Sequence, residues 1–106
     1  MFWKKKKKSE YPSGKEMAAR LDGKHIKYVT ERRDDEDYVI GRDGALIVKG
    51  DEFLVFSSAD VVFRCRVSEL RASELLSLEG VIITAPDIEH GGEERCVIAY
   101  YTYYVK

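Results

Sequence analysis

The residues with the most chemistry to offer are few and scattered. Asp34, Asp35, Glu36 and Asp37 form a carboxylate run that a calcium ion could use. An EF-hand loop needs glycine at its sixth position, for the sharp turn, and glutamate at its twelfth. Counted from Asp35, the sixth residue is Ile40, so the run reads as a solvated loop. Asp87, Glu89, His90, Glu93 and Glu94 gather carboxylates and one imidazole around Gly91-Gly92. Such donors can hold a metal, but one histidine without a second ligand set reads as a polar hairpin loop. Cys65 and Cys96 belong to no C-x-x-C, which excludes the usual zinc and thioredoxin-like spacings. Cys65 alternates with Phe63 and Val67, as a small apolar core residue does. His25, on a half-buried strand, reads as structural. There is no G-x-S-x-G, P-loop or H-E-x-x-H. The reading is therefore non-catalytic, with no catalytic, metal or cofactor residue and no cofactor expected.

Two aromatic groups point to partners instead. Tyr100, Tyr101, Tyr103 and Tyr104 close the chain in a strand-like segment. On a strand, 100 and 104 share one face, and 101 and 103 the other. One pair can fill the core. The other then lies on the opposite face, where phenol groups suit a protein partner or a second copy of the chain. At the other end, Phe2 and Trp3 precede Lys4, Lys5, Lys6, Lys7 and Lys8. Aromatic rings at the interface and about 1 kcal/mol per lysine near an anionic leaflet make this a candidate membrane contact.

Charge is distributed unevenly. The chain has 106 residues and a formal net charge of −1. Outside the five lysines, 13 Lys+Arg face 19 Asp+Glu, so a basic tail precedes an acidic body. That body is poorly suited to nucleic acid, whose phosphates supply most non-specific affinity. Two thiols suit a reducing compartment. No apolar stretch follows the lysines as in a secretory signal, and none is long enough to span a membrane. The expected location is the cytoplasm, with the tail available to the inner membrane face.

The elements that position these groups are mostly strands. Residues 1–12 read as a flexible basic tail and 13–106 as one domain. Ser13 with Glu16 fits a capping box. It opens a short helix over about 14–22, with Met17 and Leu21 on one face and Gly23 as its stop. Lys24 to Arg32 alternates Ile26, Tyr28 and Thr30 against His25, Lys27 and Glu31, as a half-buried strand does. A charged loop is expected over 31–37, a strand from Tyr38 to Ile40, and a turn at Gly41-Arg42-Asp43-Gly44. Apolar runs 45–48, 53–56 and 61–67 are separated by Gly50-Asp51 and by Ser57 to Asp60, which predicts antiparallel neighbours. Segment 68–79 fits helix by propensity, while Leu70, Ala72, Leu76 and Leu78 also permit an extended form. Strands are expected over 80–85 and 95–105, joined by a long polar loop at 86–94. Several of these runs are apolar on both faces, so the sheet must curl or be covered. The expected class is mainly β, α+β by strict count: an antiparallel curled sheet or partial barrel with a short N-terminal helix.

Residues 44–105 carry a resemblance. The hairpin Gly44-Ala45-Leu46-Ile47-Val48 and Glu52-Phe53-Leu54-Val55-Phe56 leads to Val62-Phe63-Arg64-Cys65-Arg66-Val67. Glu69-Leu70, Gly80-Val81-Ile82-Ile83-Thr84 and Ala99-Tyr100-Tyr101 follow. This succession resembles bacterial pleckstrin-homology-like and GRAM-like domains, and small bacterial proteins with a Lys-rich start and a Tyr-rich end. The resemblance implies a strand over 68–77 and a binding scaffold without catalytic residues. The functional expectation is a binding or scaffold module, with a homodimer acting through the Tyr strand as the alternative and a small enzyme third.

Overall fold

A computed structural model describes residues 14–102. Helix α1 spans Gly14–Leu21, and seven strands follow. They are β1 His25–Arg33, β2 Glu36–Lys49, β3 Glu52–Ser57, β4 Asp60–Arg66, β5 Arg71–Glu74, β6 Gly80–Asp87 and β7 Glu93–Tyr101. Short 3-10 turns cover Val67–Glu69 and Ile88–His90. All strand pairs are antiparallel, in the order β4-β3-β2-β1-β7-β6-β5. The protein is mainly β, with one open, curled sheet and one short helix.

Turn chemistry sets this order. Asp34 and Asp35 both adopt positive φ, 48° and 68°, and join Arg33 directly to Glu36. Two left-handed residues match the twist of a tight hairpin, and aspartate tolerates that region better than most residues. The expected charged loop over 31–37 is thus two residues long, with strand on either side. Gly50, at φ 63°, opens the equally short β2–β3 turn.

The expected turn at Gly41 to Gly44 is instead strand. β2 runs unbroken through it and bends, with Asp43 at φ 50°. The glycines are needed for close approach. A Cβ on Gly44 would lie 1.6 Å from the Phe56 carbonyl oxygen, and one on Gly41 would lie 2.6 Å from Ser57 Cβ. Ser57 Oγ accepts from the Arg42 amide at 2.9 Å and donates to its carbonyl at 3.0 Å, fastening the bend to β3.

The concave face forms the core. Val29, Leu46, Phe53, Val55, Phe63, Cys65, Val81, Ile83, Val97 and Ala99 are wholly buried there. An irregularity between Ile26 and Tyr28 breaks the simple alternation expected for β1. Ile26 faces inward and Tyr28 does not, and Thr30 and Glu31 are both buried. One end of the concavity is closed by α1, whose Met17, Ala18 and Leu21 join the same core. Fully burying a side chain such as Leu21 contributes roughly 1.5–3 kcal/mol, which holds in place a helix too short to persist alone.

Segment 68–79 resolves into a 3-10 turn, strand β5 and a loop. Sheet pairing of Arg71–Glu74 with β6 overrides the helical propensity. The expected loop 86–94 is mostly ordered structure: β6 extends to Asp87, β7 begins at Glu93, and the two residues pair. Gly91 and Gly92, at φ 82° and 81°, complete that turn.

Candidate functional site

The opposite end of the concavity from α1 is closed by charge. Arg95 on β7 lies between Glu31 on β1 and Asp87 on β6. Its Nη2 donates to Glu31 Oε1 at 2.6 Å, its Nε to Glu31 Oε2 at 2.9 Å, and its Nη1 to Asp87 Oδ2. His90 Nδ1 reaches the same Asp87 oxygen at 2.6 Å. Asp87 Oδ1 accepts from the Glu89 amide and from the Arg64 amide, both at 3.0 Å, and Arg95 also donates to the Val62 carbonyl at 3.3 Å. Val62 and Arg64 belong to β4, an edge strand that is no sheet neighbour of β6. Two side chains therefore satisfy the backbone groups that a further strand would have paired. They latch the curl where the ladder does not close.

The latch explains the charge states. The Arg95 hydrogen bonds hold Glu31 down to about 2 against the opposing effect of burial, with Arg33 assisting at 2.8 Å. Burial pushes Asp87 up, but hydrogen bonds from the Arg64 amide, Arg95, His90 and the Glu89 amide outweigh it and hold the group below its ordinary value. Asp87 and His90 have the outline of an orienting carboxylate and a base. No serine, threonine or cysteine side chain bonds to that imidazole among the described residues, and Asp87 is spent on the latch. Nor do three or more histidine, cysteine, aspartate or glutamate side chains gather as metal donors among the described residues.

A groove lies at the helical end. The start of α1 is tight against the chain: a Cβ on Gly14 would lie 2.4 Å from the Val67 carbonyl oxygen. Its far end is tied to β2 by Gly23 N donating to Leu46 O at 2.7 Å and Val48 N donating to Asp22 Oδ1 at 2.8 Å. Between these fixed ends, Ala18 and Ala19 are too short to fill the space. The result is an open cavity of about 510 Å³ with largely apolar walls. Val48 of β2 and Gly50 of the β2–β3 turn form the second wall, and Val67 and Ser68 the third. The Val67 amide donates to the Asp51 carbonyl at 2.8 Å and joins those two walls. Asp22, Asp51 and Lys15 complete the lining.

The tyrosines divide between core and surface. Tyr101 is buried, its hydroxyl donating to Glu74 Oε2 at 3.2 Å and its ring beneath the Lys24 ammonium. Tyr100 lies on the convex face, half-buried, with its ring centroid 4.6 Å from that of Tyr28. Tyr103 and Tyr104 lie outside the described residues, as do Phe2, Trp3 and Lys4 to Lys8. Cys65 is buried in the core, and burial pushes its thiol up to about 12. Cys96 is half-buried, and both thiols are free. The His25 side chain is exposed rather than packed, although the His25 carbonyl accepts from Thr102 N at 2.9 Å.

The sequence reading did not find the groove or the latch. The adjacent alanines of α1 were a faint signal for the groove, but its other walls lie tens of residues away. Comparison of the chain with protein-family models, curated proteins and solved structures yields no match. Among the described residues, no helix is long and apolar enough to cross a membrane.

Proposed function

We propose that the protein is a non-catalytic binding module that captures a short apolar segment, flanked by basic residues, in the groove between α1, the β2–β3 turn and the Val67–Glu69 turn. The observation that carries this reading is the cavity of about 510 Å³, within the size range of small-ligand sites, apolar along its walls and bordered by Asp22 and Asp51. Apolar walls supply area for an aromatic or aliphatic anchor, and the two carboxylates, set against the single ammonium of Lys15, favour a cation beside it. A random peptide library selected against the whole protein tests this. Selected peptides should pair an aromatic or aliphatic anchor with lysine or arginine, and lose binding to Ala19→Arg, a change at an exposed helical position. Peptides that bind this variant as well as the parent would overturn the reading.

The Tyr28–Tyr100 pair favours a second reading, a homodimer formed through the convex face of β1 and β7. Paired aromatic rings, tilted against each other and half-buried on a sheet face, are good anchors for a self-complementary contact. Light scattering at high concentration tests it: a monomer would exclude the dimer.

A further inference from the structure

The protein carries a segment with the chemistry that this groove would accept. Phe2 and Trp3 provide adjacent aromatic anchors, and Lys4 to Lys8 provide the basic flank. The segment enters the described structure at the groove itself. Gly14 rests against Val67, which forms one wall, and the next residue, Lys15, is part of the lining. At about 3.3–3.6 Å per extended residue, the chain between Trp3 and Gly14 can span over 30 Å, more than a return to the groove requires. Charge favours the return, because the body outside the five lysines is acidic, with 19 Asp+Glu against 13 Lys+Arg. A short tether also keeps its end at an effective concentration of the order of millimolar, so even weak intrinsic affinity fills the site.

We infer that the N-terminal segment Phe2–Lys8 is an intramolecular ligand of the groove, seating its aromatic pair against Ala19 and Val48 and its lysines beside Asp22 and Asp51, so that the module is self-occluded until a competing segment displaces it. This inference rests on the groove being the binding surface.

Trp3 is the single tryptophan of the chain, so its emission reports the segment directly. In the whole protein it should be blue-shifted and shielded from acrylamide, compared with a synthetic peptide of residues 1–13. Ala19→Arg and, independently, Ser68→Arg on the opposite wall should each return it to the exposed emission, with circular dichroism unchanged. The peptide of residues 1–13, added in trans, should bind the whole-chain variant Phe2→Ser/Trp3→Ser at least tenfold more tightly than the parent. Parent emission and quenching equal to those of the free peptide would overturn the inference. So would a peptide that fails to bind the double variant. If library-selected peptides remain sensitive to Ala19→Arg in that case, only self-occlusion falls. If none is sensitive, the groove reading falls with it.

Discussion

Replacing Arg95 by methionine should leave two buried carboxylates facing each other across the open end of the sheet. Asp87 is wholly buried and the Glu31 side chain is 9% exposed, so neither can recover much solvent. Breaking a buried ion pair by removing one partner costs about 3–5 kcal/mol, against a total of about 5–15 kcal/mol for a domain. With urea slopes of about 1–3 kcal/mol per molar, the midpoint at pH 7 should fall by at least 1 M. The loss should also depend on pH. In the parent, Glu31 titrates at about 2, below its ordinary 4.5. Its contribution is fully present above 4.5 and lost as pH falls toward 2. Discounted for screening at the open end, it is on the order of 1–3 kcal/mol. In the variant the carboxyls have lost the guanidinium they share, and Glu31 keeps only the exposed Arg33, so acid neutralises the repulsion and relieves the defect. The gap between parent and variant should therefore narrow from pH 7 to pH 4. Urea unfolding followed by circular dichroism at both values measures it. A gap below about 1 kcal/mol at pH 7, or one that widens in acid, would refute the latch.

Other consequences follow from the same structure. Leu21→Ala should cost about 2–5 kcal/mol, because this wholly buried side chain fixes the helix that closes the core and forms a wall of the groove; an unchanged urea midpoint would mean that α1 is undocked. Thiol titration at pH 8 without reductant should modify Cys96 while Cys65, held at about 12 by burial, stays unreactive until denaturant is added; two free thiols should then be counted, and none in a monomeric protein would contradict this. If the Tyr28–Tyr100 face pairs two copies, Tyr100→Ser should give a folded monomer by light scattering, while Tyr101→Ser should destabilise the fold instead. If the tail lysines are instead free to meet an anionic membrane, deleting residues 1–8 should abolish flotation with anionic liposomes at low salt, at about 1 kcal/mol per lysine near such a surface; equal flotation of the two forms would rule out that role.

Much of the fold was legible because it depends on local rules. Strands apolar on both faces announced the curl, and the period of two separated Tyr100 from Tyr101. Gly50-Asp51 marked a turn that the chain makes. What escaped depends on distant neighbours. Gly41 and Gly44 look like turn residues, yet their role is set by the approach of Phe56 and Ser57. Glu31 looks like a solvent residue and is buried because Arg95, far along the chain, reaches it. Arg71–Glu74 has helical propensity and becomes a strand because β6 offers it a free edge. The groove was least accessible of all. It is a space left between three elements, unfilled where the short side chains of Ala18 and Ala19 line it.

Amide chemical-shift mapping on the isotopically labelled whole protein locates the surface that takes the peptide. A library-selected peptide with an apolar anchor and a basic flank is titrated in. Perturbations should centre on Lys15 to Asp22, Val48 to Asp51 and Val67-Ser68, with β1 and β7 at Tyr28 and Tyr100 undisturbed. Perturbations centred on that tyrosine face or on the Asp87–Glu93 hairpin, with α1 silent, would contradict it.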